Sequence, residues 1–123
     1  MCQNLKFSFP PQFRLLTPAA YKAVFAQAVK SQDKYFTLLA VHNQLEHPRL
    51  GLAIAKKVIK RAVDRNSLKR IARESFRLRQ HSLTALDIVV LARRDALIAS
   101  PELLRKSLER HWLQLVKRCD SSS

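Results

Sequence analysis

The chain has 123 residues, room for one ordinary domain and too few for two. Lys and Arg number 23 against 9 Asp and Glu, a net charge of +14, while 47% of residues are hydrophobic and spread along the chain. This excludes a low-complexity basic tail, which lacks the apolar residues needed for a core, and describes a folded basic domain suited to a polyanion.

Residues 1–16 contain Pro10 and Pro11 and read as an extended arm. Gln3, Asn4, Lys6 and Ser8 interrupt any apolar core of signal-peptide length. Thr17-Pro18 is a helix start, with Thr17 as N-cap and Pro18 at the first helical position. The helix is expected to run to Val29, with Tyr21, Val24, Phe25 and Ala28 on one face. Residues 30–34 are polar and predict a turn or loop, and residues 35–41, rich in aromatic and branched side chains, predict a strand. After a polar connection, residues 49–55 alternate Leu50, Leu52 and Ile54 with Gly51, Ala53 and Ala55, a strand with one bulky and one small face. Gly51 is the only glycine. It marks either close approach by a ligand or another backbone, or simple close packing by a helix.

A helix is predicted over residues 61–80 and a third strand, apolar enough to be central, over 87–92. Ser100-Pro101-Glu102 opens a last helix that carries Leu104, Leu108, Trp112 and Leu115 to about Arg118. The domain thus covers residues 17–118, with 119–123 as a tail, in the order α-β-β-α-β-α: an α+β fold with helices around a small sheet. The longest apolar run, near residues 88–92, is far too short to span a bilayer.

The helix over 61–80 carries the chemistry. Arg61, Arg65, Lys69, Arg73 and Arg77 recur every fourth position, and each step of four drifts only about 40° around a helix. They form a slanted stripe, with Asn66 and Arg70 on the same arc. Leu68, Ile71, Ala72, Ser75 and Leu78 fall on roughly the opposite side, toward a core. Glu74 is the only acid over residues 65–80, so the stripe is poorly neutralised from within. Arg presents a planar fork matched to phosphate, and Asn both donates and accepts. Nucleic acid is the expected partner. Asp64 reads as a helix-start acid favourable to the dipole, with ordering of a metal ion near RNA as the alternative.

No catalytic or metal-binding constellation stands out. His42, His47, His81 and His111 are scattered, and Cys2 and Cys119 lie near opposite ends as ordinary thiols, consistent with a reducing cytoplasm.

The segment Arg49-Leu-Gly-Leu-Ala-Ile-Ala-Lys-Lys57, followed by Arg65-Asn-Ser-Leu-Lys-Arg70 and Glu74-Ser-Phe-Arg77, resembles the protein subunit of bacterial ribonuclease P. That family carries a strand ending in a Lys-Lys pair and a helix with an Arg-Asn-Arg-x-x-Lys-Arg signature. The similarity extends over roughly residues 9–118. Ser67 stands where the family usually has Arg, pointing about 130° from the centre of the basic arc, so the stripe survives this departure.

The resemblance implies a fold like the second domain of ribosomal protein S5, with a left-handed βαβ crossover. It implies a protein cofactor to a catalytic RNA that removes the 5′ leader from precursor tRNA using bound divalent metal such as magnesium. The protein itself would hold no catalytic residue, metal or small-molecule substrate. The RNA-contacting set carried over is Arg65, Asn66, Lys69, Arg70 and Arg73; helix geometry adds Arg77, and Arg61 begins the stripe. The leader-binding set is Tyr21 and Phe25 with Lys56 and Lys57, and Lys60 supplies further charge. Phe25 is expected partly in the core and Tyr21 more exposed; strand alternation would turn only one of Lys56 and Lys57 into the cleft. Two other classes compete: a ribosomal or assembly protein of the same fold, and a basic amphipathic helix on anionic lipid.

Overall fold

Alternating apolar residues build a four-stranded sheet in the computed structural model, which describes Arg14, residues 18–83 and residues 85–122. The elements are α1 (Pro18–Gln27), β1 (Val29–Gln32), β2 (Phe36–His42), β3 (Arg49–Leu52), α2 (Ala62–Arg79), β4 (Leu86–Ala92) and α3 (Pro101–Ser122). Single 3-10 turns occupy Gln80–Leu83 and Arg94–Leu97. The sheet order is β1-β2-β4-β3, with β1–β2 and β2–β4 antiparallel and β3–β4 parallel. The basic helix α2 is therefore the crossover between two parallel neighbours. β4 is central, and all its residues except Leu91 are buried.

Strand periodicity decides which layer each side chain joins. Phe36, Leu38, Ala40, Leu50, Ile88 and Val90 meet Leu68, Ile71 and Phe76 of α2 and Leu108, Trp112 and Leu115 of α3 in the main core. Val89 faces the other way with Leu39, Val41 and Leu91, onto Tyr21 and Val24 of α1 and onto Ala28. One sheet face thus carries α1, and the other carries α2 and α3.

The α+β class, the flanked sheet and the central position of residues 87–92 agree with the sequence reading; several boundaries do not. Residues 30–34, expected as a loop, contribute most of β1 and its turn. Ser31 is fully buried there because α3 supplies polar partners: its hydroxyl lies 2.6 Å from His111 Nδ1 and donates to Gln114 Oε1 at 2.7 Å. Asp33 makes the turn, its Oδ1 accepting the N–H groups of Tyr35 and Phe36 at 2.8 and 2.9 Å. Helix α1 accordingly stops at Gln27 instead of Val29. Regular β3 pairing ends at Leu52 instead of Ala55, and residues 56–58 form a turn.

Residues 119–122, assigned to a tail, continue α3 to Ser122, with Cys119 buried in the main core. Leu78, expected on the core side of α2, is 71% exposed; Phe76 takes the buried place. Phe76 meets Trp112 edge-on, with ring centroids 6.1 Å apart, and Trp112 Nε1–H donates to Ser75 Oγ at 2.7 Å. Of the expected arm, Arg14 forms an isolated parallel bridge to Leu50; its remaining residues and the Thr17 cap lie outside the described residues. Among the described residues no helix is long and apolar enough to cross a membrane.

Candidate nucleic-acid interface

Helix α2 is fixed through its apolar side, and this determines what its cationic side presents. Leu68, Ile71, Ala72, Ser75 and Phe76 are buried, while Asn66, Arg70, Arg73 and Arg77 are exposed. At about 100° per residue these four lie within an arc of roughly 60°. The stripe's slant is visible as a burial gradient: Arg65 and Lys69 are half-buried at the core's margin, and Arg73 and Arg77 stand in solvent. Arg65 has a second duty. Its Nη1 donates to the carbonyls of Ile59 and Lys60 at 2.9 and 2.8 Å, tying the helix to the turn before it.

The nearby acids are directed elsewhere. Glu74 pairs with Arg105 of α3 at 3.9 Å, and Arg79, at the end of α2, pairs with Glu109 at 2.5 Å. Asp64 pairs with Arg61 at 3.7 Å, so Arg61, 75% exposed in its side chain, is partly neutralised. Ser67 is exposed.

The residues expected to bind the leader come from two stretches of chain, α1 and the turn between β3 and α2. Lys56, Lys57 and Lys60 are all exposed, but strand alternation does not govern the first two, because both sit in the turn closed by Val58 and Ile59 N–H bonds to the Ala55 carbonyl. Lys57 and Lys60 line an open concavity of about 460 Å³ with Val58, Arg61, Asp64, Arg94 and Leu97. Lys56 is not part of that lining, nor are Tyr21 and Phe25. Arg94 and Leu97 went unassigned in the sequence; the signal was the Arg93-Arg94 pair directly after an apolar strand.

On α1 the expected roles of the aromatics are exchanged. Tyr21 is half-buried against Gly51, and Phe25 is 49% exposed. The small face of β3 therefore receives a helix-borne ring, which settles the two readings of Gly51 in favour of helix packing.

Buried Ser31 and His111, with half-buried Asp33, have the residue types of a hydrolytic triad, His111 Nε2 lying 3.2 Å from Asp33 Oδ2. Ser31 is wholly inaccessible and its proton is given to Gln114, so the set is a fold element. Burial alone would raise the Asp33 pKa; the Ser107 hydroxyl at 2.5 Å, the Phe36 and Tyr35 N–H groups and nearby His111 outweigh it and hold the carboxyl at about 2. Burial pushes His111 below the usual imidazole value, against the opposing pull of Asp33. Among the described residues no group of three or more His, Cys, Asp or Glu is placed to hold a metal ion.

Comparison with known proteins agrees on the class that this sheet and basic crossover helix define. The family model described as Ribonuclease P matches residues 9–116, and the chain belongs to that family. It is 49% identical over 117 residues to the ribonuclease P protein component of Methylococcus capsulatus, covering 95% of this chain and 91% of that one. It is 51% identical over 111 residues to that of Aliivibrio salmonicida, covering 90% and 95%. The fold matches the RNase P protein of Staphylococcus aureus with a TM-score of 0.77 at 30% identity, over 85% of this chain and 95% of that one.

Proposed function

We propose that this chain is the protein component of a ribonuclease P: it binds the ribonuclease P RNA and the 5′ leader of precursor tRNA and promotes leader removal in the cytoplasm. The observation that carries this reading is the exposed Asn66, Arg70, Arg73 and Arg77 cluster, held outward by a buried opposite side. Arg61, Arg65 and Lys69 extend it along the slant. Three arginines and an amide on one rigid face match a phosphate backbone in charge and hydrogen-bonding capacity.

The leader falls to the remaining cationic and aromatic residues: exposed Phe25 and half-buried Tyr21 for contact with bases, and Lys56, Lys57 and Lys60 for phosphates. The protein supplies charge and shape. Hydrolysis belongs to the RNA, with divalent metal such as magnesium bound in the assembled enzyme.

Precursor-tRNA cleavage by a bacterial ribonuclease P RNA at low magnesium, with and without the protein, tests this. Stimulated cleavage at the correct 5′ site, lost in an Arg70→Ala/Arg73→Ala variant, is expected. RNA binding without stimulation would favour a ribosomal or assembly protein of the same fold.

A further inference from the structure

The concavity beside the start of α2 is built by three separate stretches of chain. Lys57, Val58 and Lys60 come from the turn after β3, Arg61 and Asp64 from the entry to α2, and Arg94 and Leu97 from the 3-10 turn after β4. Among the described residues Lys57, Lys60 and Arg94 form no ion pair; only Arg61 is answered, by Asp64 at 3.7 Å. Four cations thus converge on one acid. The lining is mixed, because Leu97 offers a 45% exposed apolar side chain and Val58 is half-buried beside it. At about 460 Å³ the hollow falls within the roughly 300–1,000 Å³ of small-molecule sites, larger than a single ion requires.

We propose that this concavity seats one unpaired RNA nucleotide. Its phosphate lies among Lys57, Lys60, Arg61 and Arg94, and its base or ribose rests on Val58 and Leu97. Unpaired RNA is bound by cations on the backbone and apolar contact with the splayed base, and this lining supplies both. Asp64, which would repel a bare phosphate, suits a nucleotide: its carboxylate accepts a hydrogen bond from a 2′-hydroxyl or a base amino group. The site rests on the RNA-binding reading above and adds Arg94 and Leu97 to it. It also places Lys57 and Lys60, expected on the leader surface, and Arg61, expected on the catalytic-RNA surface, around one ligand.

The test uses full-length protein carrying Arg94→Gln, Leu97→Ser or, as a control on exposed α3, Lys106→Gln. Two affinities are measured across a salt series: that for ribonuclease P RNA, and that of the assembled enzyme for precursor tRNA with and without its leader. In one of these arms Arg94→Gln is expected to weaken binding by roughly tenfold and flatten the salt slope by about one. Leu97→Ser should weaken the same arm with the slope unchanged. A loss confined to leader-bearing substrate identifies the nucleotide as the leader's, and a loss in assembly as the catalytic RNA's. The site is overturned if Arg94→Gln behaves like Lys106→Gln, or if Leu97→Ser leaves both affinities intact. Wild-type protein that binds neither RNA would overturn the parent reading and this one with it.

Discussion

The ring of Tyr21 lies so close over Gly51 that a β-carbon there would stand 2.7 Å from the phenol oxygen and 2.8 Å from Cε1 and Cζ. Even one methyl group forces the ring or α1 away from the sheet. Gly51→Ala should therefore destabilise the protein by about 1–3 kcal/mol in urea unfolding. In a Tyr21→Ala background the same substitution should cost much less, because the opposing atoms are gone. An equal cost in both backgrounds would show that the contact is not its source.

Phe25 and Tyr21 should separate binding from folding. Phe25→Ala removes a half-exposed ring and should leave the unfolding midpoint nearly unchanged. It should weaken leader-bearing precursor tRNA by about 1–3 kcal/mol if one base stacks there. Tyr21→Ala should lower stability as well. Comparing affinity for precursor with and without its leader, alongside a thermal melt, checks both.

Along α2 the burial gradient predicts two kinds of arginine. Arg73→Ala should weaken ribonuclease P RNA binding and reduce the salt slope by about one, with stability unaffected. Arg65→Ala should also loosen the turn held through the Ile59 and Lys60 carbonyls, costing about 1–3 kcal/mol. Anisotropy titrations at several salt concentrations and denaturant melts distinguish them.

Asp33 predicts the acid limit of the fold. Its folded pKa of about 2 lies below the unfolded value of 3.8. The unfolded chain therefore takes up this proton first, so the Asp33 contribution to stability is present above about pH 4 and is lost as the pH drops toward 2. His111, also held low, adds a loss that begins as the pH falls below its ordinary value of 6.5. Asp33→Asn should be less stable at neutral pH and should flatten the decline between pH 4 and 2. Urea midpoints across pH 2–7 measure this.

Periodicity made α2, β4 and α3 legible because each buries a regular apolar row with its own local pattern. Strand β1 was not, since Ser31 earns its core place only through His111 and Gln114, some eighty positions away. The roles of Tyr21 and Phe25 were exchanged for a similar reason: a wheel shows a shared face, and only the position of Gly51 beneath one ring decides which is covered. The cationic face of α2 was readable from its four-residue spacing. Arg94 was not, because its neighbours Lys57 and Arg61 belong to other stretches of chain brought together by the parallel pairing of β3 and β4.

Cys119 sits 1% exposed near the last turn of α3, with its backbone carbonyl 3.3 Å from His42 Nε2 on β2. A thiol reagent reaches it only when that end of the helix lifts from the sheet. In a Cys2→Ser background the chain thus carries its own clock for local opening. Labelling that is indifferent to low denaturant reports fraying of the helix end, and labelling that accelerates steeply with denaturant reports loss of the whole fold.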